Sequence, residues 1–355
     1  MRSVRSSSLT LGVATTVIAA LALTACAPAT TPDDAGSTPA STPVSDGSFV
    51  LYSGRDEALV QPLIDTFEAA TDIEVEVRYG NTAELAALLI EEGDASPAQV
   101  YLSQDAGALG ALSDAGLFST LPTDVTESVP AGFTSTDGSW VGVTGRARVI
   151  AYDSAELDAD AVPTSIDAFA EPEWNGRVAI APSNASFQSF VTAYRVLKGE
   201  DAADAWVAGL AANNPQIFDS NRAILSAVND GVVDVGLINH YYWFAQAAET
   251  GVDSMRAQLS YPAAGDPGSI VNVTGAGILS TGATDADALE FVRYLLSTEA
   301  QEYFVDETFE YPLVEGIDAP EGLPGLDSLK NSDLDLADLA SLAETQALLA
   351  QYGLI

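Results

Sequence analysis

What most constrains this chain is a regular alternation of two hydrophobic periods along residues 49–115. Phe49 to Tyr52 is a short apolar run, and Glu57 to Ala70 then carries Leu59, Leu63 and Phe67 at helical spacing. Ile73 to Arg78 returns to strand character, and Thr82 to Glu92 sets Leu85, Leu88 and Leu89 at helical spacing. Gln99 to Leu102 reads as a third strand, and Ala106 to Ala115 as a third helix with Asp105 as its N-cap. Strands alternating with helices form a parallel sheet covered on both faces. Ligands bind such sheets beyond the C-terminal strand ends, here Ser53 to Asp56 and Ser103 to Asp105.

A second α/β unit begins near Val149. Its strand at Val178 to Ile180 is followed by helices at about Phe187 to Leu197, Ala202 to Asn213 and Asn221 to Asp230, and by a strand at Val233 to Ile238. That strand ends in Asn239-His240-Tyr241-Tyr242-Trp243, which opens a helix running to about Thr250. The globular part is longer than one core usually serves, so two lobes are expected.

The N-terminus sets the compartment. Arg2 and Arg5 precede an apolar run from Leu9 to Ala25, shorter than the roughly 20 residues of a spanning helix. It reads as a signal peptide over residues 1–25. Leu23-Thr24-Ala25-Cys26 resembles a bacterial lipobox, which implies cleavage before Cys26, a lipid on its sulfur and residence on the outer face of the cytoplasmic membrane. Cys26 is also the only cysteine, so no internal disulfide can brace the fold. Residues 26–48 are rich in Ala, Thr, Pro, Ser, Asp and Gly and read as a disordered tether. The formal charge of −38 excludes nucleic acid as a partner.

Enzymatic chemistry is poorly supplied: one histidine, no Gly-rich phosphate loop, no zinc-spaced His or Cys pair, no Gly-x-Ser-x-Gly elbow. Tyr241-Tyr242 is the sharpest feature. On a continuing strand the two side chains would point to opposite faces. Where strand turns into helix both phenols can face one cleft, and the helix N-terminus favours their ionised forms. Phenolate is a hard oxygen donor suited to a trivalent cation; the competing reading is a pair of core or interface aromatics. Arg146 and Arg148, at i and i+2 in Thr144-Gly145-Arg146-Ala147-Arg148-Val149, share a strand face where the chain passes between lobes. They either hold an anion or pair with local carboxylates.

Tyr52-Ser53-Gly54-Arg55-Asp56, Ser103-Gln104-Asp105-Ala106-Gly107, Gly145-Arg146-Ala147-Arg148-Val149, Asn239-His240-Tyr241-Tyr242-Trp243, Gly265-Asp266-Pro267-Gly268 and Glu310-Tyr311-Pro312-Leu313 occur in this order. Together they resemble the ferric-iron-binding solute-binding proteins of bacterial ABC importers, from about Phe49 to the C-terminus. The resemblance implies a type II periplasmic-binding-protein-like fold of two α/β lobes joined by crossover strands. The lobes would be 49–147 with about 272–322, and 148–271 with about 323–355. It also implies a monomer that closes over Fe(III) and delivers it to the permease transmembrane subunits. Carried over by position, Tyr241 and Tyr242 are the iron ligands. Arg148 or Arg146 anchors carbonate or another synergistic anion, with Asn184, Ala185, Ser186, Asn221 and Asn239 around it.

Three positions depart from the family pattern. Asp56 stands where some members place a histidine ligand, Gln104 where they place a glutamate, and Phe187 where others place a third tyrosine. An exogenous chelating anion and water would then fill the iron's remaining sites, with Asp56 as an added ligand, or the cargo is an iron chelate. Asp56 is equally a helix N-cap. The alternative ligands are a polyamine, a thiamine-like cation or a phosphonate; a further alternative is an exported hydrolase.

Overall fold

The computed structural model describes residues 43–329 and 334–355. The signal segment, Cys26 and most of the tether lie outside the described residues. In chain order the elements are β1 (Ser48–Ser53), α1 (Glu57–Thr71), β2 (Glu74–Tyr79), α2 (Thr82–Glu92), β3 (Val100–Ser103), α3 (Ala106–Asp114), α4 (Thr123–Thr126), β4 (Val141–Asp153) and β5 (Val178–Ile180). Then come α5 (Ala185–Lys198), α6 (Glu200–Ala212), β6 (Gln216–Ile217), α7 (Asn221–Asn229), β7 (Val235–Asn239), α8 (Tyr241–Thr250), β8 (Ala257–Ser260) and β9 (Val271–Ile278). The chain ends with α9 (Ala286–Leu295), α10 (Thr298–Asp306), β10 (Tyr311–Pro312), α11 (Leu326–Leu329) and α12 (Leu342–Gln351).

The strands order as β2-β1-β3-β9-β4-β7-β5-β6, with β10 and β8 also pairing β4. Pairing is parallel within β2-β1-β3 and within β6-β5-β7, as alternating strands and helices require. It is antiparallel wherever β4 or β9 takes part, so the sheet is mixed rather than purely parallel. The difference comes from two strands that return after long excursions, which local periodicity cannot reveal.

The two halves of the sheet share β4. Residues Val141 to Ala147 pair with β9, and Arg148 to Tyr152 pair with β7. All 13 residues of β4 are buried, because neighbours flank it along its whole length. The fold is the two-lobed α/β architecture expected, with β4 threading from one lobe to the other and the stretch from β8 to β9 returning.

The sequence reading ends the tether at Ser48, yet the structure attaches the chain earlier. Val44 N–H donates to Thr284 O (2.8 Å), and the Asp287 carboxylate accepts from the Asp46 and Gly47 amides at 3.1 and 2.8 Å. Tight approaches fix the elements that carry the cleft. A Cβ on Gly54 would lie 2.1 Å from Thr82 Oγ1 and 2.9 Å from Thr82 Cα, so only glycine lets the β1–α1 loop lean on α2.

Candidate metal and anion site

Along β4 the side chains of residues 146 and 148 emerge on one face, because alternate strand residues do. Arg146 lies opposite Asn272 of β9, and Arg148 opposite Asn239 at the end of β7. The four side chains form a polar row across the junction of the two halves, and all are buried.

Arg148 Nη1 donates to Ser186 Oγ (3.3 Å), Asn221 Oδ1 (3.3 Å) and Asn239 Oδ1 (3.1 Å), and Nη2 donates to Leu237 O (2.8 Å). Asn184 caps α5: its Oδ1 accepts from Ser186 N–H at 3.0 Å and Ser186 Oγ at 2.6 Å, and Asn221 Nδ2 donates to it at 3.3 Å. Ala185 is buried beside them at the head of α5. The residues expected around an anion are thus brought into one network.

Among the described residues neither Arg146 nor Arg148 reaches a carboxylate at ion-pair distance, which answers the salt-bridge alternative. Arg146 makes one long bond to Val273 O (3.3 Å), and its Nε and Nη1 have no protein partner. Burial, followed by the neighbouring Arg146, pushes the Arg148 guanidinium down to about 9. A buried cation in that condition is stabilised by any anion brought to it.

The strand-to-helix turn does for the tyrosines what the sequence required. β7 ends at Asn239, and Tyr241 and Tyr242 are the first two residues of α8, with ring centroids 4.2 Å apart and planes at 30°. Both phenols therefore lie on one side. Burial, then Tyr241, pushes the Tyr242 phenol well above its ordinary value, while Arg55 and Arg146 pull it down. The helix end is thus not enough to ionise Tyr242; a cation placed against the pair would supply the missing stabilisation. Among the described residues no three His, Cys, Asp or Glu side chains converge as a metal cage, so the phenols are the hard donors at hand.

His240, between the row and the tyrosines, has both ring nitrogens engaged. Nδ1 accepts from Ala147 N–H (3.1 Å), and Nε2–H donates to Phe309 O (2.9 Å). Burial brings its pKa down to about 4.

The first-lobe departures fall as follows. Asp56 is exposed at the N-cap of α1 and makes no side-chain capping bond. Gln104 is half-buried, with its backbone N–H donating to Thr82 Oγ1 (3.3 Å). Phe187 is fully buried, edge-on to Phe190, as part of the core.

Sequence reasoning missed Arg55 and Glu310. Both are fully buried and joined in an ion pair; Thr144 Oγ1 donates to the same carboxylate, and the Arg55 guanidinium sits 5.9 Å from the centre of the Tyr241 ring. The signal was present: opposite charges inside two of the quoted motifs, in a chain with few basic residues. Asp105 lies at one of the expected ligand-binding strand ends and is the expected cap of α3. It does accept from Ala108 N–H (3.2 Å) and Ser189 Oγ (2.8 Å), but its Oδ2 has no protein partner and burial raises its pKa.

Residues 95–332 match the family described as bacterial extracellular solute-binding protein. The Fe(3+)-binding periplasmic protein of Serratia marcescens is 34% identical over 314 residues, covering 88% of this chain and 92% of that protein. Iron-bound HitA from Pseudomonas aeruginosa superposes with a TM-score of 0.82 at 33% identity, over 86% of this chain and 99% of that one. Trichodesmium FutA in complex with iron and citrate has a TM-score of 0.73 at 27% identity, over 87% and 100%. The chain is a solute-binding protein rather than an enzyme, and it belongs to the bacterial extracellular solute-binding protein family, in the company of the ferric-iron-binding periplasmic proteins.

Proposed function

We propose that this protein captures ferric iron outside the cell through Tyr241 and Tyr242, together with an oxygen-rich anion held over Arg148, and delivers it to an ABC permease. The observation that carries the reading is the meeting of the paired phenols with two buried arginines that lack carboxylate partners. A ferric ion with two phenolates and two such guanidinium groups leaves the buried site strongly positive. An accompanying polyanion therefore completes both the charge and the coordination. Carbonate fits the Arg148, Ser186, Asn221 and Asn239 network. A polycarboxylate chelate of iron also engages Arg146, and the relative solved with iron and citrate supports that form of cargo. Asp56 is the first lobe's candidate ligand, exposed at the head of α1.

The remaining parts of the reading concern placement. Lipidation at Cys26 would hold the protein on the outer face of the cytoplasmic membrane, with lobes 49–147 plus about 272–322 and 148–271 plus about 323–355 closing as a monomer for the permease.

Titrating the purified soluble domain with ferric citrate near neutral pH should produce a visible phenolate-to-iron band. The band should vanish in the Tyr241→Phe, Tyr242→Phe double variant. Iron bound without colour in the wild type would overturn tyrosinate ligation.

A further inference from the structure

Beside α8, Trp243, Phe244, Leu259, Tyr261, Phe309 and Glu321 line a cavity of about 510 Å³. Neither the paired tyrosines nor the arginines of the iron and anion site line it. A second cavity of about 560 Å³ adjoins it through Phe309 and Glu321, and adds the carboxylates of Glu302, Asp306 and Asp318. Among the described residues, neither lining includes an arginine, lysine or histidine. From these surfaces we infer that the protein carries a second ligand site, for an organic cation with an apolar body.

The chemistry follows from the walls. A volume near 500 Å³ lies within the range of small-molecule pockets, which span roughly 300–1,000 Å³. Phe244 and Phe309 present rings 28° from parallel with centroids 6.4 Å apart, and Trp243 meets Phe244 edge-on at 5.1 Å. Aromatic faces attract ammonium groups through their ring quadrupoles, and a carboxylate at the rim adds the opposite charge. An anion would meet no cationic side chain in either lining, and would face the carboxylates of Glu321, Glu302, Asp306 and Asp318. Trp243 Nε1–H is already committed to Ala257 O (2.7 Å), so its ring face, not its polar edge, is what the cavity offers.

Phe309 is held at this junction against its own preference. Its φ is +57°, a left-handed backbone that crowds the Cβ of a bulky residue against the following carbonyl. Its carbonyl accepts from His240, one residue before the tyrosine pair. The cavity wall is thus built jointly from α8 and the segment that follows α10.

Trp243 reports on the site. The other three tryptophans, Trp140, Trp174 and Trp206, are buried in the core. Benzyltrimethylammonium, titrated into the protein, should quench tryptophan fluorescence saturably, while benzenesulfonate of similar size should not. Glu321→Gln, an exposed and structurally mild change, should weaken the ammonium probe about tenfold. Phe309→Gly, which relieves the positive φ, should weaken it at least as much. Glu321→Gln, away from the tyrosine pair, should keep the visible iron band. Absence of saturable quenching, equal binding of the sulfonate, or unchanged affinity in both variants would overturn the inference.

Discussion

Glu310 decides whether the cleft wall is neutral or charged at Arg55. The pair is fully buried, and its acid is held further by Thr144 and by Thr274 Oγ1 at 3.5 Å. Removing one partner of a buried pair strands the other charge, so Glu310→Ala should cost about 3–5 kcal/mol in urea unfolding. Replacing both, with Arg55→Met and Glu310→Leu, should recover most of that loss; equal costs for the single and double variants would refute the assignment. His240 makes a pH prediction on the same ground. The bond its Nδ1 accepts needs a neutral ring, burial disfavours the charged one, and its folded pKa is about 4 against roughly 6.5 unfolded. Between those values the unfolded chain binds more protons, so stability rises with pH. The contribution, about 3 kcal/mol, is fully present above roughly 6.5 and is lost as pH falls to about 4. Melting curves of iron-free protein across that window should slope more steeply for wild type than for His240→Gln, and parallel slopes would count against it.

At the scale of elements, the tyrosine pair works because β7 stops and α8 starts within one residue, and β7 is held in place from behind. A Cβ on Gly236 would lie 2.2 Å from Ile224 Cγ2 of α7, so Gly236→Ala must push strand and helix apart. We expect a loss of about 1–3 kcal/mol and a weaker iron band, measured by unfolding and by titration. The constraint there is contact rather than backbone freedom, so an unchanged unfolding midpoint would show that α7 yields without disturbing the strand. The same elements show what a sequence discloses. That the Tyr241 and Tyr242 side chains share one side was legible because strand gives way to helix at that point, whereas their role as ligands came from the family resemblance. Arg146 and Arg148 were legible because i and i+2 share a strand face. The β4–β9 pairing, which sets Asn272 beside Arg146, joins segments far apart in the chain and leaves no local trace. The Arg55–Glu310 pair was hidden for the same reason, since the two lie 255 residues apart. Asp56 shows the opposite failure: an N-cap position is readable, but whether the carboxylate turns back onto the helix is set by its surroundings, and here it does not.

The whole molecule carries a formal charge of −38, yet three arginines, Arg55, Arg146 and Arg148, are buried near the tyrosine pair. Short-range and long-range electrostatics therefore act in opposite senses on an arriving ligand. Far from the surface, a ferric polycarboxylate chelate is an anion repelled by the acidic exterior; in the proposed binding mode Arg146 and Arg148 would attract it at close range, where burial shields them from salt. Screening falls mainly on the exterior field, whose reach is about 10 Å at 0.1 M salt. The association rate of ferric citrate, followed by stopped-flow through the visible band, should consequently rise as salt is raised from low ionic strength, while the dissociation rate changes little. A cationic iron species would show the reverse, with capture slowed by salt. The direction of that slope thus reports the charge of the cargo on arrival: a rate that falls with salt would exclude an anionic chelate as the form captured, and a rate that rises would favour capture of iron already chelated.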